Sequence, residues 1–304
     1  MPGSSSLTEA SPRERQQAIL LPMQPDQDAV ERWSKSAPFW EKHREVIRGM
    51  FAPVTQALVE QAQIATGNTI LDIATGPGEP ALSLAAMVGP AGRVCGIDPV
   101  PGMIAAARRA AAILEVKNVQ FDVAFADQLP FPDETFDAVV CRFGAMFFPA
   151  PADALREILR VLKPGRKFAL AVWHFVEKNP FHYALSRVMD RHVPSLPPQS
   201  EALDTFRFAA PGKLRDILYL AGAGDAAERL LQLHIEAPLS AEQYLAVRME
   251  MSDSLREKMA SISSEQSRAV TREFLESLRE YSTDQGMSFP AEALIVSGTK
   301  TAQE

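Results

Sequence analysis

A glycine-rich turn is the first feature of the chain whose residue types and spacing could do chemistry. The segment Gly76-Pro77-Gly78-Glu79-Pro80-Ala81 stands between a short apolar run and a helical stretch. Glycines in such a place let the backbone approach a ligand closely and present the amides of the helix N-terminus to it. The spacing also satisfies the G-x-G-x-x-A fingerprint of dinucleotide sites. By itself, the turn therefore predicts a nucleotide-type cofactor without saying which one.

Three aspartates near the ends of neighbouring predicted strands narrow the choice of cofactor. At Asp72, just before the turn, a carboxylate suits a cofactor whose nearby end is cationic better than it suits a pyrophosphate; the alternative is a side chain that caps the turn amides. Asp98, 20 residues after Gly78, can accept hydrogen bonds from both ribose hydroxyls, unless it caps the next helix. Asp127 can accept a hydrogen bond from an exocyclic amine such as that of adenine, unless it is an ordinary turn residue.

Alternating strands and helices must position these side chains. Short apolar runs of strand type occupy 69–73, 93–97, 119–125, 136–143, 167–173, 228–235 and 291–297. Helical spacing occupies 28–50, 53–65, 80–88, 103–114, 153–162, 181–192, 213–220 and most of 241–281. Strands that alternate with helices of this length are typical of βαβ units. They predict an α/β fold, a doubly wound Rossmann-like sheet of seven mostly parallel strands.

Five sequence blocks in order resemble the class I S-adenosylmethionine-dependent methyltransferases. The resemblance is to the broad ubiquinone/menaquinone-biosynthesis-like (methyltransferase type 11) group that acts on small molecules. It covers 69–175, about a third of the chain. The blocks are Ile70-Leu71-Asp72-Ile73-Ala74-Thr75-Gly76-Pro77-Gly78, Gly96-Ile97-Asp98 with Met103, Asp127-Gln128-Leu129-Pro130-Phe131, Phe136-Asp137-Ala138-Val139-Val140 and Arg160-Val161-Leu162-Lys163-Pro164-Gly165.

The resemblance implies S-adenosyl-L-methionine as the cofactor and a set of residues that bind it. Asp72 would lie near the methionine amino group, Asp98 would bind the ribose, and Asp127 would accept from the adenine amine. Met103 would pack beside the adenine, and the backbone around Arg142 and Phe143 would line the methyl side. The full implied set is Asp72, Ala74, Thr75, Gly76, Gly78, Asp98, Pro99, Met103, Ala126, Asp127, Gln128, Arg142 and Phe143.

Two residues depart from the pattern of that group. Ala74 stands where its members often have their first glycine, and its methyl group predicts a backbone outside the left-handed region. Arg166 replaces the second glycine of the usual Pro-Gly-Gly turn, which affects the turn and not the chemistry.

The methyl acceptor is predicted from the side chains at the same edge of the sheet. Trp40, Phe147 and Trp173 are candidate walls of an apolar acceptor pocket, with core packing as the alternative. His174 follows the fifth strand and is the candidate catalytic base, if one is needed; Tyr183 and Glu177 are weaker candidates. Arg207 could anchor a carboxylate or phenolate.

Composition limits the functional classes. The chain has 304 residues, 31 basic against 38 acidic side chains and a net charge of −7, which disfavours a generic nucleic-acid binder. No apolar run is long enough to span a bilayer, and no signal-peptide pattern opens the sequence, so we expect a cytoplasmic protein. Cys95 and Cys141 lack the spacing of a metal site and are expected to be free thiols, and no metal is predicted.

The predicted organisation is a flexible N-terminal arm at 1–26, a helical lid at 27–66 and a methyltransferase domain at 67–304 with a helical insertion at about 240–283. The predicted reaction is methyl transfer to an oxygen or carbon of a small, apolar or aromatic molecule. An NAD-dependent oxidoreductase, suggested by the turn fingerprint, and a non-catalytic cofactor-binding protein of the same fold are the alternatives. The oligomeric state is not predicted.

Overall fold

A computed structural model describes residues 27–193 and 204–301 of the chain. The arm predicted at 1–26 lies outside the described residues. Within the described residues no helix is both long and apolar enough to cross a membrane.

The described residues form one sheet of eight strands with helices on both faces. The strands are β1 (Thr69–Ile73), β2 (Arg93–Asp98), β3 (Val119–Val123), β4 (Phe136–Arg142), β5 (Leu162–Trp173), β6 (Gly224–Ala237), β7 (Ser282–Thr283) and β8 (Gly286–Thr299). Their order is β3-β2-β1-β4-β5-β8-β6, with β7 paired to β8. The first five strands are parallel, and β8 runs antiparallel to both β5 and β6. The predicted doubly wound, Rossmann-like α/β class is confirmed.

Eleven α-helices surround the sheet in the described part of the chain. They are α1 (Gln27–Lys42), α2 (Arg44–Met50), α3 (Ala52–Gln61), α4 (Ala81–Val88), α5 (Pro101–Ile113), α6 (Pro151–Val161), α7 (Pro180–His192), α8 (Lys213–Ala221), α9 (Ala241–Met251), α10 (Asp253–Ala260) and α11 (Ser264–Ser277). The predicted helix at 28–50 is two helices that meet at His43. The predicted insertion is three helices, α9 to α11.

Strand register aligns the ends of the central strands at one edge of the sheet. In β1, Asp72 stands opposite Gly96 of β2 and Val140 of β4. Both faces of the central strands are covered by helices, so their apolar residues are almost fully buried, as expected for a parallel sheet. The carboxyl ends of β1, β2 and β4 therefore open together, at the switch point where α/β folds bind ligands.

Helix α1 covers this edge. Ala37 packs with Val100 and Met103 at the start of α5, and a Cβ on Gly102 would lie 3.3 Å from the Ala37 methyl group. Glu41 accepts two hydrogen bonds from Arg109, at 2.8 and 2.7 Å. The small residues let the two helices approach closely, and the ion pair fixes the end of the contact.

The two cysteines are free. Cys95 on β2 and Cys141 on β4 are separated by β1. Because one strand spacing is about 4.7–4.9 Å, two spacings exceed the reach of a disulfide.

Candidate active site

A cavity of about 370 Å³ opens at the carboxyl edge of the sheet. Its walls come from the loops after β1, β2, β3 and β4, from the end of β5, from α1 and α2, from the start of α7, and from α9. Of the predicted cofactor residues, those on its wall are Ala74, Thr75, Gly76, Asp98, Pro99, Met103, Ala126, Asp127, Arg142 and Phe143. The structure therefore brings most of the predicted set together.

Gly76 and Gly78, the two glycines of the turn, have different surroundings. Gly76 has a φ of +56°, lies on the cavity wall, and a Cβ built on it would meet no atom within 4 Å. Gly78 is absent from the wall; a Cβ there would lie 3.0 Å from Leu82 and 3.3 Å from Ala107. Gly78 thus lets α4 and α5 pack closely, and the predicted contact between Gly78 and a cofactor is not found in the cavity wall.

The backbone predicted for Ala74 is wrong. Ala74 has a φ of +57°, in the left-handed region that alanine rarely adopts. Its methyl group occupies the space where a Cβ on Gly144 would stand, well inside contact distance. Because Gly144 has no side chain, it leaves space for the Ala74 methyl group.

Asp98 is tied to the turn at the cavity wall. It is the last residue of β2 and only 7% exposed. Its Oδ2 accepts from the Gly76 amide at 3.0 Å, and its Oδ1 accepts from the Val100 amide at 2.9 Å. Burial raises the pKa of Asp98 to about 6, although both amides favour the ionised form. Val100, not Asp98, is the N-cap of α5, so the helix-cap alternative is not what the structure shows.

Asp72 lies behind the turn and not on the cavity wall. Its side chain is fully buried, and its Oδ2 accepts from the Ala81 amide at 3.0 Å. Burial raises the pKa of Asp72 to about 7, and the Arg142 charge opposes the rise. The turn-capping alternative therefore describes the contact seen here, and direct contact with a cofactor stays a prediction. The first amide of α4 is taken by this carboxylate, which argues against a pyrophosphate at that helix end.

The segment after β3 contributes Ala126 and Asp127 but not Gln128. Asp127 lies on the cavity wall, and burial raises the pKa of its carboxyl group. The Gln128 side chain is exposed and absent from the wall. A contact between Gln128 and the cofactor therefore stays a prediction.

A further carboxylate on the wall was missed by the sequence reasoning. Glu79 is 8% exposed, lines the cavity and accepts a hydrogen bond from the Ser83 hydroxyl at 2.6 Å. The Arg142 guanidinium donates to the Glu79 carbonyl at 3.2 Å and to the Thr55 hydroxyl at 2.9 Å. Arg142 thus ties the turn to α3. The position of Glu79 inside the glycine turn was the available signal.

Aromatic side chains form the other end of the cavity. The Phe143 ring stacks on Trp173 with 4.0 Å between centroids and 11° between planes. Phe51 meets Trp173 edge-on at 5.8 Å. Trp33 of α1 lies 5.8 Å from Trp40 and 5.3 Å from Phe147. Trp40, Phe147 and Trp173, the predicted acceptor residues, all line the cavity.

The predicted base, His174, does not reach this end. Its Nδ1 lies 2.7 Å from a Glu292 carboxylate oxygen of β8, and it is absent from the cavity wall. The chain leaves β5 with Trp173 facing the cavity, so the next side chain points away. Tyr183 and Glu177 are absent from the wall as well.

His182, at the start of α7, lines the cavity instead. Burial, helped by the charge of Arg248, holds the pKa of His182 well below its ordinary value. Its Nε2 has no hydrogen-bond partner among the described residues. Nothing in the local sequence around His182 indicated that its side chain would line the cavity.

Arg207, which the sequence suggested could anchor a carboxylate or phenolate, is absent from the cavity wall. Its guanidinium donates to the Phe148 carbonyl at 2.8 Å and lies over the Phe208 ring, away from the wall. The insertion supplies other residues, and Tyr244, Val247 and Arg248 of α9 line the cavity. Their spacing at i, i+3 and i+4 places them on one helix face, which was the signal for them.

Within residues 27–193 and 204–301, no three His, Cys, Asp or Glu side chains come together as a metal site.

The central part of the chain matches a known family. Residues 70–165 match the family described as Methyltransferase domain, and this segment of the chain is a methyltransferase domain. It contains β1 to β4 and the carboxylates at their ends.

Curated relatives carry related names. The ubiquinone/menaquinone biosynthesis C-methyltransferase UbiE of Ectopseudomonas mendocina is 37% identical over 158 residues, which is 50% of this chain and 60% of the relative. The uncharacterized methyltransferase YcgJ of Bacillus subtilis is 35% identical over 124 residues, 40% of this chain and 47% of the relative. The chain spans about half the length of the curated relatives it matches.

Solved structures share the fold. The crystal structure of YcgJ from Bacillus subtilis has a TM-score of 0.52 at 21% identity, covering 82% of this chain and 98% of that one. Phosphoethanolamine N-methyltransferase 2 of Haemonchus contortus, in complex with S-adenosyl-L-methionine, has a TM-score of 0.52 at 16% identity, covering 86% and 57%. The fold is that of Rossmann-like class I methyltransferases.

Proposed function

We propose that this chain, whose residues 70–165 form a methyltransferase domain, transfers a methyl group from S-adenosyl-L-methionine to an oxygen or carbon of a small molecule. The acceptor is apolar or aromatic in its main body. The proposal rests on one observation. The buried Asp98 carboxylate and the open Gly76 backbone lie together on the cavity wall, where β1 and β2 end.

The residues present fit this cofactor. Each Asp98 oxygen accepts a single backbone hydrogen bond, which leaves lone pairs free for ribose hydroxyls. Asp127 supplies an acceptor for an amine, and Met103 supplies an apolar surface beside it. Glu79 adds a third carboxylate to the same end of the cavity. Three carboxylates against the one Arg142 guanidinium at this end suit a cationic ligand better than a pyrophosphate.

The chain's own residues would align the acceptor and keep water out. The cofactor, when bound, supplies a methyl group on a sulfonium centre that is already electrophilic. The protein then has to align the acceptor with that methyl group and exclude water from the site. Phe143 and Trp173 form a flat stacked wall, and Trp33 and Trp40 of α1 also line the cavity. We expect the chain to act in the cytoplasm.

The flat shape of the acceptor is supported by the rings around its end of the cavity. Phe51, Phe143, Trp173 and Phe181 make stacked or edge-on contacts with one another. Such walls favour planar unsaturated ligands. The name of the Ectopseudomonas relative, a C-methyltransferase, is consistent with carbon as one possible attacked atom.

A label-transfer assay tests the proposal. The purified chain is incubated with S-adenosyl-L-methionine labelled in its methyl group and with the small-molecule fraction of a bacterial extract. We expect label in organic-soluble small molecules, and far less with Asp98→Asn. Asp122→Asn is the matched control, because Asp122 lies on the surface of β3 and pairs with Arg108. Label that appears only in protein or nucleic acid, or equally with all three proteins, would overturn the proposal.

A further inference from the structure

Both carboxylates and arginines line the cavity, and Arg142 is the arginine that is held against the glycine turn. The carboxylates of Glu79, Asp98 and Asp127 lie around the glycine turn and the neighbouring strand ends. The opposite end receives Arg248 from α9, together with Tyr244 from the preceding turn. The helical insertion therefore places a cation at the end of the cavity that the proposed cofactor does not need.

Arg248 differs from the other arginines on the wall. Arg142 is held by the Thr55 hydroxyl and a backbone carbonyl. Arg44 pairs with Glu45 at 2.8 Å, although its Nη1 is buried without a partner. Arg248 makes no hydrogen bond or ion pair among the described residues. Its guanidinium lies over the Phe181 ring, 4.8 Å from the centroid, and its Nε is buried without a partner.

Arg248 is half-buried, and its guanidinium keeps its charge without an anionic partner among the described residues. Arginine does not lose its proton in proteins, so it cannot neutralise itself as a buried lysine or histidine can. The neighbouring polar groups do not help it. The Tyr244 hydroxyl donates to the Phe181 carbonyl at 3.1 Å, and His182 has a pKa that burial and the Arg248 charge hold low, so the imidazole is neutral.

We infer that the methyl acceptor is a planar organic anion, and that Arg248 binds its negatively charged oxygen while the aromatic walls hold its flat body. The inference rests on the proposed function, because it concerns the second ligand of the same cavity. A guanidinium presents its donors in a planar fork that fits two carboxylate oxygens, or an enolate or phenolate oxygen with its neighbour. The His182 ring meets both Trp173 and Phe181 edge-on, and Phe181 is the ring over which Arg248 lies.

Matched acid and amide probes test the inference. Calorimetric titrations use benzoate, cinnamate and 2-naphthoate against their neutral amides, with the chain saturated by S-adenosylhomocysteine. We expect at least one acid to bind about tenfold or more tighter than its amide, as for a charge-assisted hydrogen bond. Arg248→Gln should remove that preference, and Arg248→Lys should keep part of it. Arg268→Gln is the control, because Arg268 is exposed on α11 of the same insertion.

Each outcome bears on the inference separately from the proposed function. If S-adenosylhomocysteine binds but no acid binds better than its amide, including the case where no probe binds, the inference is overturned and the cofactor site stands. The same holds if Arg248→Gln keeps the full preference. If S-adenosylhomocysteine itself fails to bind the wild type, the proposed function fails first.

Discussion

The imidazole of His182 meets the indole of Trp173 edge-on, with 4.6 Å between the ring centroids. Trp173 is the last residue of β5, and His182 is the third residue of α7. The contact therefore joins the sheet edge to the helix that follows it. His174, although it is the neighbour of Trp173 in sequence, faces Glu292 outside the cavity. The histidine that can meet an acceptor is thus the one on the helix.

Substitutions of the two histidines should separate their roles. We expect His182→Asn to lower methyl transfer to the extract acceptor by about tenfold, because it removes a polar ring from the acceptor wall. The affinity for S-adenosylhomocysteine should stay unchanged. His174→Asn should leave both quantities near wild type. A loss of transfer with His174→Asn and none with His182→Asn would show that the acceptor lies elsewhere.

Gly144 and Ala74 should be energetically coupled. Gly144→Ala should destabilise the fold by about 1–3 kcal/mol, because its new methyl group would collide with that of Ala74. Ala74→Gly in the same chain should restore part of this loss, since it also removes a left-handed alanine. Part of the loss should persist, because the Cβ at 144 would also lie 2.9 Å from the Cys141 Sγ. Urea unfolding of both single variants and the double variant measures the coupling; additive effects would contradict it.

The fold was predictable from local patterns, with limits at element ends. Strand β1 and its turn agree with the sequence reasoning, because an apolar run and a glycine turn are both local signals. The short β7 was missed since two residues carry no pattern, and β8 and β6 extend beyond their predicted apolar cores. The extra residues of those strands are held by pairing with each other, which the sequence of one strand does not reveal.

The site was predictable where its residues lie close to the glycine turn. Asp98 ends β2, which pairs with β1, and Asp127 follows β3, which pairs with β2, so sheet topology alone brings them to one edge. Asp72 could not be assigned an orientation, because both faces of β1 are buried and alternation carries no information. Arg248 comes from a helix far along the chain, and only tertiary packing brings it to the cavity.

Asp72 should make stability depend on pH. Its pKa is about 7 in the fold and 3.8 ordinarily, so its contribution to stability is full below the ordinary value and is lost as the pH rises through about 7. Between about pH 5.5 and about pH 8, wild type should lose about 2 kcal/mol of unfolding free energy relative to Asp72→Asn. Urea unfolding at both pH values measures this, with Asp122→Asn as control. A constant difference between wild type and Asp72→Asn would contradict the burial argument.

Helix α1 should act as a lid over the cavity. Its tryptophans line the opening, and ion pairs from Glu41 to Arg109 and from Lys42 to Glu250 attach it to the rest of the molecule. We expect amides of 28–50 to exchange more slowly with deuterium when S-adenosylhomocysteine is added. Amides of α8, which lies away from the cavity, serve as the internal control. Identical exchange of 28–50 with and without ligand would mean that the helix only packs.

The most direct test of the methyltransferase assignment is calorimetric titration of S-adenosylhomocysteine into wild type and Asp98→Asn as a function of pH. The ribose hydroxyls donate to the ionised carboxylate, whose pKa is about 6 in the free protein, so wild-type affinity should rise as the pH increases through about 6. Asp98→Asn should bind about 10- to 100-fold more weakly and lose that pH dependence, while Asp122→Asn should match wild type and NAD should not bind. Equal affinity of wild type and Asp98→Asn for S-adenosylhomocysteine, or tighter binding of NAD, would contradict the account.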